Sequence, residues 1–272
     1  MTYFYNKNGR LTLLAMHNCL SGLKELGAYL ANTGLIDFPD ELFQRLSSLG
    51  VGIAGQQLVD LGTGRGNFAR AFAARGCSVT ALDRSPDMLV EALQPESDCT
   101  GSLNYLQAKA EDTGLPDEVF DCVVAGQAWH LFDRLKAGQE SRRLLKHGGQ
   151  IAIAQMDWVP RSGGPAEATE EIIQRYNPDW NILFRQSNYM DWSRQLGTTG
   201  FRDVQEATFN TQIAVAPDIW RQRIRASAGV GAVLPREMAD ALDSDLAATL
   251  KDKFPGEMLH VSHKVFYLVA RG

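Results

Sequence analysis

From about residue 57 to residue 157, short apolar runs alternate with longer amphipathic stretches. The runs 57–60, 77–82, 103–107, 119–125 and 150–156 are largely apolar, the pattern of strands covered on both faces. Between them, 67–75 reads as a helix closed by Gly76. Ser85 followed by Pro86 caps and opens a second, and a third runs from about Asp133 to Lys146 before Gly148 and Gly149 stop it. Such alternation predicts an α/β fold with a parallel sheet. The runs 201–210 and 264–270 would complete that sheet.

Two regions fall outside this rhythm. Ahead of the first strand, Leu20, Leu23, Leu26 and Leu30 keep helical spacing, and Pro39 opens a further helix with Leu42, Phe43 and Leu46 on one side. The stretches 160–194 and 217–254 are mostly helical and flank the sixth strand. Ile172, Ile173, Tyr176 and Leu183 could simply be their packing residues. The division expected is a helical N-terminal segment over 1–50, a ligand-binding core over 51–157, and 158–272 adding lid helices and final strands to the same domain. A lid is expected because the carboxyl edge of such a sheet, where ligands bind, needs cover.

Composition narrows the partners. With 27 Lys and Arg against 32 Asp and Glu, the 272-residue chain carries a formal net charge of −5, and its basic residues come in pairs at most, as at Arg142-Arg143. A nucleic-acid partner is not expected without a basic face. No apolar run approaches the length of a membrane span and the first twenty residues lack a processing signature, so no membrane partner and a cytoplasmic location are expected. Cys19, Cys77, Cys99 and Cys122 are scattered, which supports neither disulfides nor a zinc or iron–sulfur centre. His260 and His263 stand in a strand-like run and would point to opposite faces, so no metal is expected.

The richest segment is Val59-Asp60-Leu61-Gly62-Thr63-Gly64-Arg65-Gly66. An acid ends an apolar strand, three glycines follow on alternate positions, and a helix opens at Asn67. Glycines at a strand-to-helix turn let a ligand approach the backbone. The second strand ends on Asp83, where an α/β site holds the hydroxyls of an adenosine ribose. A ribose and a positively charged group together suggest S-adenosylmethionine. A nicotinamide or flavin dinucleotide is the rival, but its fingerprint is Gly-x-Gly-x-x-Gly, and Asn67 stands where the third glycine belongs. A pyrophosphate would gain nothing from Asp60, whereas an ammonium or sulfonium would be attracted. A glycine turn without a ligand is the remaining alternative.

Three segments carry a family resemblance: Asp60 to Gly66, Ala81-Leu82-Asp83-Arg84-Ser85-Pro86-Asp87-Met88-Leu89, and Phe120-Asp121-Cys122-Val123-Val124-Ala125-Gly126-Gln127-Ala128-Trp129-His130. In this order they resemble class I S-adenosylmethionine-dependent methyltransferases, in particular the small-molecule, type 11-like branch. The likeness is good over roughly 40–157 and loose elsewhere. It implies a Rossmann-like, doubly wound, mostly parallel seven-stranded sheet of order 3-2-1-4-5 with an antiparallel last strand, and helical N-terminal and lid insertions. It also implies S-adenosyl-L-methionine as cofactor and S-adenosyl-L-homocysteine as product. Asp60 would hold the methionine ammonium, with Gly62, Thr63 and Gly64 under the methionine and ribose. Asp83 would accept from both ribose hydroxyls, Arg84 would cover the adenine, and Ala110 with Glu111 would contact it, Asp112 being close enough to exchange with Glu111.

The end of the fourth strand should meet the reacting methyl, since it lies beside the glycine turn at the topological switch point. Gln127 and Trp129 are pocket candidates there, Gln127 toward the cofactor. His130 is the candidate base, although a structural role in its turn is the rival reading. Asp157 and Trp158, leaving strand five, and Trp220 on a lid helix would border the acceptor. Of Arg221, Arg223 and Arg225, at least one should face solvent, and an inward one would favour an anionic acceptor. Asn177-Pro178-Asp179-Trp180 looks like the catalytic loop of amino-methyltransferases, but it does not follow strand four and reads as a lid turn. The expected activity is methyl transfer to a small molecule, with oxygen favoured as acceptor atom. A cofactor-binding cyclase that transfers no methyl and an enzyme acting on a macromolecule are the alternatives. Acceptor identity and oligomeric state, including a homodimer, stay open.

Overall fold

The computed structural model describes residues 3–5, 11–13, 37–93, 101–180, 188–227, 229–231 and 233–272. The leucines at 20–30 expected to form a helix, Leu183, Cys19 and Cys99 lie outside them.

In chain order the elements are β1 (Tyr3–Tyr5), β2 (Leu11–Leu13), α1 (Asp40–Ser48), β3 (Gln57–Leu61), α2 (Asn67–Ala74), β4 (Ser78–Asp83), α3 (Pro86–Ala92), β5 (Ser102–Gln107), β6 (Phe120–Gly126), α4 (Arg134–Leu144), β7 (Leu145–Trp158), α5 (Pro165–Tyr176), α6 (Trp192–Thr198), β8 (Arg202–Val215), α7 (Pro217–Arg225), α8 (Arg236–Lys253) and β9 (Leu259–Arg271). One sheet joins the strands in the order β1-β2-β5-β4-β3-β6-β7-β9-β8. The run β5-β4-β3-β6-β7 is parallel throughout, while β9 runs antiparallel between β7 and β8. These are the seven strands and the order expected. A short antiparallel pair, β1 and β2, extends the β5 edge. That pair falls in the segment expected to be helical, where runs of three residues are too short to show a period.

Alternate strand residues face two helical layers. Leu58, Val79, Ala81, Val124, Ala152 and Ala154 pack against α1, α2 and α3. Val59, Leu82, Val123, Ile151 and Ile153 pack with α4 and α6 on the other face. The sheet is therefore doubly wound, and each central strand is buried on both sides. Helix α1 buries Leu42, Phe43 and Leu46 as its spacing predicts. It is tied to α2 through Phe72, whose ring meets Phe43 and Phe68 edge-on at 5.3 and 4.9 Å.

Several strands are longer than their apolar runs. β7 starts at Leu145, straight out of α4, and passes the Gly148-Gly149 kink, where Gly148 takes a positive φ of 76°. At the other end β7, β8 and β9 outrun the core, and α5, α7 and α8 bury Trp158, Ile172, Trp220, Leu246 and Val261 on that extension. These three helices form one layer over the stretches expected to be a lid. The stretch expected to belong wholly to it divides: Tyr189, Trp192 and Leu196 cross to the opposite face and join the α4 side. Trp180 N–H bonds Asn177 O at 3.0 Å, so the Asn-Pro-Asp-Trp segment is a turn at the end of α5. No described helix is long and apolar enough to cross a membrane.

Phe72 is 1 % exposed and links two helices to the sheet. Phe72→Ala is expected to cost ~3–5 kcal/mol in urea denaturation, from lost transfer energy plus the cavity left behind.

Candidate active site

The glycine turn is clamped between two carboxylates. Asp60 on β3 lies between β4 and β6 and is wholly buried. Its Oδ2 accepts from the Thr63 hydroxyl at 2.6 Å, while Oδ1 is sealed from water and has no hydrogen-bond partner among the described residues. Asp83, at the end of β4, accepts from the Gly64 amide through Oδ2 and from the Ser85 amide through Oδ1, both at 2.9 Å. The Thr63 amide donates to Leu82 O at 2.8 Å, which completes the tie between β3 and β4.

The three glycines serve different needs. All take positive φ. A Cβ on Gly62 would stand 2.8 Å from the Ala128 methyl and the Phe132 ring, and one on Gly66 would stand 2.5 Å from the Tyr105 hydroxyl. A Cβ on Gly64 would meet nothing within 4 Å. The turn is packed tight at both ends and open at its centre. Arg70 props it from behind, donating to Arg65 O at 2.8 Å, Asn67 Oδ1 at 2.7 Å and Ala92 O at 3.2 Å.

Burial pushes the Asp60 pKa up to about 7. The Thr63 hydroxyl opposes that rise, the charge of Asp83 adds to it, and the Ala69 amide opposes it more weakly.

After β5, Ala110 is buried, and Glu111 accepts from the Asp133 amide at 2.9 Å, which engages it at the start of α4. Asp112 and Arg84 are exposed. At the end of β6, Gln127 holds a positive φ of 57° and donates its amide to Ala154 O at 2.8 Å. A non-glycine residue in that region stores strain, a common condition at functional sites. Trp129 and His130 follow in a short 3-10 turn (Trp129–Leu131). Trp129 is core, packed edge-on against Phe132 at 5.9 Å, and His130 is half-buried.

The residues expected on the acceptor side divide as well. Asp157 accepts from the Tyr189 hydroxyl. Trp158 and Trp220 pack edge-on at 5.5 Å inside the lid layer. Both indole N–H groups of Trp158 and Trp180 donate to the buried carboxylate of Glu170, at 2.6 and 2.7 Å. Arg221 pairs with Asp243 at 2.5 Å and Arg225 with Asp240, while Arg223 turns inward. Its guanidinium lies 5.6 Å from the centre of the Trp158 ring, Nη2 reaches Met156 O at 3.4 Å, and Nη1 is sealed with no hydrogen-bond partner among the described residues. Burial holds its pKa down at about 10 against the pull of Asp157, so it is a cation at neutral pH. His263 is fully buried nearby, pushed down to about 3 by burial and by Arg223. Arg70 and Glu170 escaped the sequence reading. Glu170 left one signal, a carboxylate among the buried positions of α5.

Comparison with known proteins bears on this arrangement. The family described as "Methyltransferase domain" matches residues 59–153. An uncharacterized methyltransferase of Mycobacterium bovis is 30 % identical over 184 residues, covering 60 % of this chain and 71 % of that protein. The chain belongs to the class I S-adenosylmethionine-dependent methyltransferases. A ubiquinone biosynthesis O-methyltransferase of Pseudomonas fluorescens is 28 % identical over 179 residues, covering 62 % of this chain and 76 % of that one. The structure of a putative type II methyltransferase from Anaeromyxobacter dehalogenans superposes with a TM-score of 0.58 at 19 % identity, over 87 % of this chain and 96 % of that one, and shares its fold.

The methyltransferase uses S-adenosylmethionine, and the residues at the turn fit it. A buried carboxylate oxygen without a partner suits an ammonium, the open centre at Gly64 admits a ligand against the backbone, and Asp83 keeps lone pairs for a diol. Both described cysteines are buried, and burial pushes the Cys122 thiol up to about 12. Neither supplies a thiolate nucleophile at neutral pH.

Gly66→Ala is expected to destabilise the fold by about 1–3 kcal/mol, since the methyl meets Tyr105 and Arg70 and the backbone is left-handed. Denaturation midpoints check this. Asp60 binds its proton more tightly folded than unfolded, so its contribution to stability is fullest below about pH 4 and falls as pH rises to about 7. Asp60→Asn should remove that slope, read as the difference in unfolding free energy between the two proteins from pH 4 to 8.

Proposed function

We propose that this methyltransferase transfers a methyl group from S-adenosylmethionine to an oxygen of a small-molecule acceptor. The carrying observation is the pair of carboxylates around an open glycine turn, Asp60 with a buried unanswered oxygen and Asp83 beside it. The lid layer over the extended β7 and β9 supports a small acceptor, because it covers ground that a macromolecule would need free. The name of the Pseudomonas relative supports oxygen as the atom methylated.

In this reading Asp60 takes the methionine ammonium, and Gly62, Thr63 and Gly64 lie beneath the methionine and ribose. Asp83 accepts from the ribose hydroxyls, and Ala110 and Glu111 border the adenine with Arg84 at its open side. Gln127, held in its strained conformation, closes the floor between the two ligands. When bound, the cofactor supplies an electrophilic methyl on a sulfonium. The protein's part is alignment of the acceptor with that methyl, which accounts for most of the rate in an in-line displacement. His130 takes the acceptor proton, a contribution of ~10²–10⁴-fold.

Calorimetric titration with S-adenosylmethionine, S-adenosylhomocysteine and NAD(H) tests the cofactor site; micromolar affinity for the first two and none for the third is expected. Asp83→Ala should weaken binding by ~1–3 kcal/mol through lost charge-assisted hydrogen bonds. Unchanged affinity would move the ribose elsewhere. His130→Ala should keep cofactor affinity and lose most of its turnover, followed as S-adenosylhomocysteine released with a small hydroxylated acceptor. Full turnover would remove His130 from catalysis.

A further inference from the structure

The path of β7 past its neighbour decides where Arg223 sits. Ala154 O accepts from Gln127 N–H across the end of β6, so the carbonyl of Ala154 points toward β6. Carbonyls two residues apart on a strand share a direction, and Met156 O therefore points the same way. The Val159 amide, of opposite parity, bonds Ser262 O on β9, as this register requires. β6 has ended by then, so Met156 O points past its carboxyl end, roughly 7 Å beyond Ala154 at the usual rise per residue. Arg223 reaches that carbonyl. Its guanidinium thus stands over the strand whose end carries Gln127 and His130.

The surroundings leave this cation incompletely answered. Among the described residues Nη1 is sealed without a hydrogen-bond partner, the contact of Nη2 is long, and the Trp158 face offers only a cation–π attraction. Asp157, whose side chain leaves β7 on the opposite face from Met156 and Trp158, already accepts from Tyr189. His263 donates Nδ1–H to Val261 O as a neutral ring and leaves Nε2 buried with a bare lone pair. A second buried group thus lacks its partner beside the first.

We propose that Arg223 binds a carboxylate of the methyl acceptor, making the substrate a hydroxy acid held by its anionic end while its hydroxyl faces the methyl. A carboxylate on the guanidinium would satisfy Nη1 and take Nη2 from its long contact with Met156, and the His263 lone pair offers an acceptor to a neighbouring hydroxyl of the same molecule. This rests on the cofactor site proposed above.

The test is calorimetric titration of the full chain with a panel of aromatic and aliphatic hydroxy carboxylates, each beside its neutral primary amide, with and without S-adenosylhomocysteine. At least one carboxylate should bind roughly 10-fold or more tightly than its amide. Arg223→Gln should bring that ratio close to one and leave S-adenosylhomocysteine affinity unchanged, and Arg223→Lys should restore part of it. Arg223→Met should melt at or above the wild-type temperature, because an unanswered buried cation stabilises nothing. The proposal is overturned if no carboxylate outbinds its amide, if Arg223→Gln keeps the preference, if that variant loses cofactor affinity, or if Arg223→Met melts well below wild type. A wild-type protein that prefers the carboxylate yet binds no S-adenosylhomocysteine would sink the cofactor assignment and leave the anion site standing.

Discussion

A carboxylate shut inside the sheet governs the arrangement of this protein. Asp60 ends the central strand with parallel neighbours on both sides, so water cannot reach it, and the backbone beyond must turn at once. Thr63 folds back to answer one oxygen, Asp83 collects the Gly64 amide from the next strand, and Arg70 braces the far end of the turn. An unanswered oxygen in such a place is a standing cost that a cation removes. The turn around it is packed tight at Gly62 and Gly66 and open at Gly64.

β7 is the second organising element. Residues 150–154 lie between β6 and β9, and beyond Ala154 the strand leaves β6 behind and runs under α5, α7 and α8. One continuous strand therefore carries Ala154, which fixes the strained Gln127, and Met156, which holds Arg223. The backbone that fixes Gln127 thus continues without a break to the carbonyl that meets Arg223.

The core was legible because its signals are local. Apolar runs bounded by glycines gave the five parallel strands, and the acid-glycine pattern gave the turn, since each follows from burial on two faces or from a positive φ. The outer strands were read short because β8 alternates along an exposed edge and β9 passes under a lid, neither of which yields a continuous apolar run. The packing of the tryptophans was not legible for a related reason. Trp129, Trp158 and Trp220 fell near the expected site in sequence, but their rings serve packing, two of them with indole N–H groups bound by Glu170 and Thr169. Of the three arginines two apart on α7, sequence could say that they point differently. Only the partners on α8 distinguish Arg223 from the other two.

Those partners have a mechanical consequence. Arg221 and Arg225 flank Arg223 by half a turn on either side, and each is latched to an aspartate on α8. Helix α7 cannot roll about its own axis to withdraw the guanidinium without breaking both latches together. The two ion pairs therefore couple the orientation of α7, and with it the place of the inward guanidinium, to α8.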